Sequence, residues 1–220
     1  LKRRGYYFAS VDVLIQDKGE NLIDLIYEIN TGNKTKIKKI TFLGNNNVRS
    51  NRLREVIASE EDKFWKVISN NTNLSENLIS LDVRLLTNYY RSNGYYNVSV
   101  NSKTAKVNES GDAEITYSID EGEKFTIKKI STNVDDVFDK ELFFPLNNIY
   151  KDYVGSVYSP FKIKKLLDKI DELIANNNLQ FVEHNVQEQL EKNTVSIVFN
   201  VFEGEKKLVE RIDVLGNNVT

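Results

Sequence analysis

The feature that most restricts how this chain can fold is an order of motifs that comes round three times. Each round has an alternating strand, an acidic or Asn-rich turn, a second alternating strand ending at a glycine, and a short basic strand. The first runs Ala9 to Val13, Leu22 to Ile29, Gly32 and Ile37-Lys38-Lys39-Ile40-Thr41-Phe42. The second runs Tyr96 to Val100, Glu114 to Ile119, Gly122 and Ile127-Lys128-Lys129-Ile130, and the third runs Phe181 to Val186, Val195 to Val201, Gly204 and Val209 to Val214. Gly32 and Gly122 stand 90 positions apart and Gly122 and Gly204 stand 82 apart, a period that suits a small unit with its own core, repeated in series.

Helical periodicity fills the gaps between the strand clusters. Asn73 or Ser75 caps a predicted helix in which Leu78, Leu81, Leu85 and Tyr89 recur at spacings of three and four, with Asp82, Arg84 and Asn88 elsewhere. The next long helix opens at Ser159-Pro160, a cap followed by proline at the first helical position, and carries Ile163, Leu166, Leu167, Ile170, Leu173 and Ile174 on one side. The run Asn176-Asn177-Asn178 stops it. A shorter helix is expected from Asn51 to Ile57, capped by Ser50 or Asn51, with a weaker counterpart from Asp139 to Phe144 before Pro145. Residues 60–71 receive no assignment. The expected class is α+β, each repeat running β-α-α-β-β, with a three-stranded mixed sheet covered on one face by two helices.

In the middle hairpin Tyr96, Val98 and Val100 alternate with Asn97, Ser99 and Asn101, so one face is expected to pack and the other to meet solvent. Val198 and Phe202 break the alternation of the last strand and are expected to cover a junction with a following unit or to join a partner surface. Lys and Arg total 30 against 32 Asp and Glu, giving a net charge of -2 with both signs interspersed. No basic field is available for nucleic acid. The absence of Cys removes disulfides, thiolate nucleophiles and Cys-ligated metals together. His184 stands alone in a predicted strand and is read as an exposed strand residue; no metal, cofactor or catalytic site is assigned. Glu60-Glu61-Asp62 and Asp135-Asp136 are read as solvated carboxylates or as helix-dipole partners, not as acid/base pairs. No apolar run reaches the roughly 18 residues that cross a bilayer. The first and last residues fall inside unfinished patterns, so the chain is expected to be a segment whose targeting signal and any membrane part lie outside it.

Two phrases carry a resemblance. Ile40-Thr41-Phe42-Leu43-Gly44-Asn45, echoed by Ile212-Asp213-Val214-Leu215-Gly216-Asn217, opens a unit; Tyr89-Tyr90-Arg91-Ser92-Asn93-Gly94-Tyr95, echoed by Leu1-Lys2-Arg3-Arg4-Gly5-Tyr6, leads the long helix into the hairpin. Together they resemble POTRA repeats, the polypeptide-transport-associated domains of Omp85-type outer-membrane proteins. The resemblance covers nearly the whole chain. It divides the sequence into the end of one repeat (1–34), two complete repeats (35–123 and 124–205) and the start of a further one (206–220). At least four repeats resembles the branch with five, which serves β-barrel assembly, with the complete units placed around its third and fourth repeats. Two departures stand out: Asn133 in place of a Gly-Asn turn, and Asn178-Leu179 in place of Gly-Tyr.

The resemblance implies a non-enzymatic, periplasmic part of a bacterial outer-membrane protein. Its implied partners are unfolded outer-membrane clients, accessory assembly lipoproteins and its own C-terminal transmembrane β-barrel. Strand addition to an open sheet edge suits many clients, because backbone pairing is largely indifferent to side-chain identity. The candidate edge comprises Tyr96, Val98, Ser99, Val100, Asn101 and Lys103, with Lys103 and Lys106 read either as contacts or as guards against aggregation. Phe64 and Trp65 are candidate interface anchors or packing for their own connection, while Gly44, Gly94, Gly122, Gly204 and Gly216 are turn formers. A repeat that only spaces the barrel from its accessories is the alternative.

Overall fold

The computed structural model describes residues 1–19, 22–63, 70–106 and 112–205. Two compact units divide after Lys124. Phe64, Trp65, Gly216 and the whole of 206–220 lie outside the described residues.

The first unit opens with an antiparallel hairpin of β1 (Ser10–Gly19) and β2 (Leu22–Asn30). Register places Val11, Val13 and Ile15 opposite Ile29, Tyr27 and Leu25 on one face of the ribbon and Leu14 opposite Ile26 on the other, all of them exposed. There follow β3 (Ile37–Leu43), α1 (Ser50–Val56), α2 (Glu76–Ser92), β4 (Ser99–Lys106) and β5 (Ala113–Asp120). The sheet order is β3-β5-β4, with β5 parallel to β3 and antiparallel to β4. The second unit repeats the plan in β6 (Thr126–Val134), α3 (Leu146–Lys151), α4 (Pro160–Asn176), β7 (Val182–Glu191) and β8 (Thr194–Glu203), ordered β6-β8-β7. The expected α+β class and mixed three-stranded sheets are therefore present. Among the described residues no helix is long and apolar enough to cross a membrane.

Each central strand supplies the core by strict alternation. Ala113, Ile115, Tyr117 and Ile119 of β5 are buried against Ile79, Leu86 and Tyr90 of α2; in the second unit Val195, Ile197, Phe199 and Val201 of β8 are buried, as are Ile163, Leu166 and Ile170 of α4. The outer parallel strands break alternation in the same way. Register slips between Ile37 and Lys39 in β3 and between Ile127 and Lys129 in β6, so each Ile-Lys-Lys-Ile carries a one-residue bulge.

The long helices are bounded as their sequence predicts. Ser75 caps α2, its Oγ accepting the Leu78 amide at 3.2 Å. Past Ser92 the chain turns through Gly94 at φ +96°, and the Tyr95 amide donates back to the Tyr90 carbonyl at 3.1 Å. Asn178 does the same work after α4 at φ 51°, with Leu179 donating to Ile174 at 3.1 Å, so the departure from Gly-Tyr preserves the turn. Asparagine is one of the few other residues that enters this region readily. Asn133 proves to be a strand residue of β6, bonded to Asn200, which in turn bonds Asn185 across the sheet.

Four expectations are corrected. The buried stripe of α2 is Ile79, Asp82, Leu86 and Tyr90, one position on from the predicted Leu78, Leu81, Leu85 and Tyr89, because a fully buried carboxylate occupies a core position. The predicted helix at Asp139 to Phe144 is a 3-10 turn at Lys140–Phe143, and the regular helix follows Pro145, whose ring fits a helix start. The first short helix begins at Ser50, so neither Ser50 nor Asn51 is its cap. Ser159 holds the position before Pro160 but makes no capping bond with its side chain.

Candidate protein-docking edge

Strand β4 lies at the border of its sheet and, among the described residues, pairs only with β5. Its inner face is anchored by the buried Val98, just ahead of the strand, and Val100; Ser99, Asn101, Ser102 and Lys103 are exposed. Short polar side chains leave the backbone of such a border reachable. Tyr96 does not belong to it: the residue is half-buried in the turn after Gly94, three positions before the strand begins. The bonds Asn93 to Tyr90, Gly94 to Arg91, Tyr95 to Tyr90 and Tyr96 to Gly94 close that turn and delay the extended backbone.

The opposite border, β3, is occupied. The Asp62 amide donates to the Ile37 carbonyl at 2.7 Å. Glu61 Oε1 accepts the Ile40 amide at 3.0 Å, and the Arg54 guanidinium donates to the Ile40 carbonyl at 2.9 Å. The Asp62 carboxylate meets Lys38 at 3.1 Å and Lys36 at 3.7 Å, and this hydrogen bond holds the Lys38 ammonium above its ordinary pKa. Glu61 and Asp62 are therefore structural bonds to a strand and its neighbours, not solvated helix-dipole partners.

Two buried carboxylates hold the first unit together, and neither was anticipated as a site. Asp82, wholly buried, accepts the Ala58 and Ser59 amides at 2.7 and 3.1 Å and the Tyr117 hydroxyl at 2.5 Å. Glu121 accepts the Asn47 amide at 3.0 and 3.1 Å, the Asn47 side-chain amide at 2.6 Å and the Tyr90 hydroxyl at 2.9 Å. Buried charges persist where hydrogen bonds replace the lost water. Burial first, then the negative charge of Asp82, pushes the Tyr117 phenol far up; burial first, then the bond to Glu121, does so for Tyr90. The signal was present in the sequence: Asp82 and Tyr117 take the places that Leu166 and Phe199 fill in the next repeat, so the two positions change character together.

Gly44 sits at φ +79°, and a Cβ there would stand 2.0 Å from the Ile119 carbonyl oxygen. Gly122 follows β5 at φ +63°, whereas Gly204 stands outside the positive-φ region; a Cβ there would stand 2.7 Å from the Glu183 side chain, and its amide donates to Phe181 at 2.7 Å. His184 is not simply exposed: its ring meets Asp171 of α4 at 2.7 Å. Asp136 is exposed beside Lys140, whose hydrogen bond holds its carboxyl below the usual range, and the Asp135 amide donates to Val201. Val198 and Phe202 are half-buried.

Comparison with known proteins accounts for this plan. The POTRA family, described as a surface antigen variable number repeat, matches residues 35–122. The outer membrane protein assembly factor BamA of Buchnera aphidicola is 26% identical over 204 residues, covering 91% of this chain and 32% of that protein. BamA of Neisseria meningitidis is 24% identical over 222 residues, covering 99% of this chain and 27% of that protein. This chain thus spans about a third or less of the length of these relatives. The crystal structure of Haemophilus influenzae BamA POTRA3-5 superposes with a TM-score of 0.62 at 19% identity, over 84% of this chain and 73% of that one. Residues 35–122 thus match the POTRA family, and the repeated β-α-α-β-β units of this chain are similar in fold to the POTRA repeats of proteins named BamA.

Proposed function

We propose that this chain is a periplasmic scaffold in the assembly of outer-membrane β-barrels, and that it takes up extended polypeptide by strand addition along β4. The observation that carries the reading is the contrast between the two borders of the first sheet: β3 is bonded by its own chain, while β4 is paired on one side and exposes Ser99, Asn101 and Lys103 on the other. Backbone pairing gives affinity without demanding a particular sequence, which fits unfolded outer-membrane clients as a class. Accessory lipoproteins and a C-terminal transmembrane barrel complete the proposed partner set, by analogy with the proteins named BamA. On the same reading residues 1–34 end one repeat, 35–123 and 124–205 are complete repeats, and 206–220 open another. The work asked of the chain is binding and orientation, not catalysis.

The test is site-specific photocrosslinking from Asn101 and Lys103 in the presence of unfolded outer-membrane protein. Crosslinks are expected at both positions, and proline at Ser99 and Asn101 is expected to abolish them while circular dichroism stays near wild type. Crosslinking that survives the prolines would remove β4 as the docking edge. Absence of crosslinks across both hairpins would favour a spacer that never touches clients.

A further inference from the structure

We propose that Arg54, Glu61 and Asp82 form a latch that closes the β3 border of the first unit, leaving its sheet a single border for a visiting strand. The inference concerns β3 and stands whether or not β4 binds clients. A border strand of a mixed sheet presents amides and carbonyls on its outer side, and any extended chain of suitable shape can take them. On β3 these include the Ile37 carbonyl and the Ile40 amide and carbonyl. Asp62 takes the first through its backbone, and Glu61 and Arg54 take the pair at Ile40. A carboxylate acceptor and a guanidinium donor, 4.0 Å apart, thus stand where the backbone of another strand would lie.

Asp82 is the positioning residue. Its carboxylate is fixed by Tyr117 at the centre of the sheet and grips the Ala58 and Ser59 amides, two residues ahead of Glu61. The Glu60 amide is tied to the Asn71 carbonyl at 3.1 Å, and Asp62 is tied to Lys36 and Lys38, so both ends of the short blocking segment are pinned. A continuous set of bonds therefore runs from the core to the border.

The second unit lacks this arrangement. Leu166 and Phe199 replace the carboxylate and the phenol. Gly155 and Ser156 bond the backbone of Ile127, yet among the described residues no side chain hydrogen-bonds the backbone of Ile130, the counterpart of Ile40. The latch is a property of one repeat, not of the fold.

Amide hydrogen exchange on the whole chain, without any client, reads the latch directly. In Glu61→Ala the Ile40 amide is expected to lose protection by about tenfold, while the amides of the β4–β5 ladder keep theirs. Glu61→Gln, whose side-chain oxygen still accepts, is expected to restore it. The pair Asp82→Leu with Tyr117→Phe, which copies the second unit, is expected to expose Ile40 while the β5 amides remain protected. Arg54→Ala combined with Glu61→Ala is expected to self-associate in sedimentation experiments where the wild type does not. Unchanged Ile40 protection in Glu61→Ala, or a uniform loss across the unit, overturns the proposal, as does a double variant that sediments like the wild type.

Discussion

Replacing Asp82 by leucine, with and without Tyr117→Phe, is the sharpest energetic test of how the first unit is held together. The single change Asp82→Leu removes the acceptor of two backbone amides and of the Tyr117 hydroxyl, and both Ser59 and Tyr117 are buried. Each buried group left without a partner costs about 1–3 kcal/mol, and a buried leucine returns about 1.5–3 kcal/mol of that, so a net loss of about 3 kcal/mol is expected. Tyr117→Phe alone leaves the carboxylate its two amides and is expected to cost about 1–1.5 kcal/mol. In the double variant the phenol no longer lacks an acceptor and an apolar pair replaces a polar one, so about 2 kcal/mol is expected. The singles then exceed the double by about 2 kcal/mol, well outside the roughly 0.5 kcal/mol within which independent sites add. Urea unfolding of the four proteins, followed by circular dichroism and by the fluorescence of the sole tryptophan, Trp65, closes the cycle. Additive costs would refute the claim that Asp82 and Tyr117 act as one bonded unit.

Three further outcomes follow from local geometry. Gly44→Ala combines a positive φ with a Cβ 2.0 Å from the Ile119 carbonyl oxygen, so it is expected to cost at least about 2 kcal/mol and to lower the melting temperature by about 10 °C in a thermal scan. Asn178→Gly is expected to stabilise by about 0.5 kcal/mol and Asn178→Ala to destabilise by about 1 kcal/mol, measured by denaturant midpoint, because φ 51° suits glycine best, asparagine next and alanine least. The Tyr90 and Tyr117 phenols ionise far above their ordinary value when folded and near pH 10 when unfolded. Their contribution to stability is whole below pH 10 and is lost as pH rises beyond it. An ultraviolet titration is expected to show these two tyrosines ionising together with unfolding, and a smooth rise across all tyrosines in the folded protein would contradict this.

The order of elements was legible because the repeat states it more than once. Ile37-Lys38-Lys39-Ile40 and Ile127-Lys128-Lys129-Ile130 both mark the parallel border strand, and Ser75 and Pro160 open the long helices at their stated positions. The buried face of α2 is one position on from the apolar stripe because Asp82, which lies off that stripe, is buried; its amide and phenol partners lie 23 to 35 residues away, beyond any local pattern. Separations of 21 and 14 residues likewise hide the border bonds of Glu61 and Arg54 to Ile40. The place of Ser99, Val100, Asn101 and Lys103 on a border strand follows from alternation, which is local, whereas Tyr96 continues that rhythm in the sequence and the turn after Gly94 interrupts it. Pro145 was taken as the end of a helix although proline also begins one.

The bulges in β3 and β6 decide which residues the border strands bury. Ile37 and Ile40 are both inside, as are Ile127 and Ile130, although residues three apart on a regular strand point to opposite sides. The bulge thus absorbs the additional lysine and keeps two isoleucines in one interior. A chain shortened by that lysine would set the two isoleucines two apart on one face of a regular strand and would need no bulge, so the insertion changes the path of the border backbone and leaves the interior as it is.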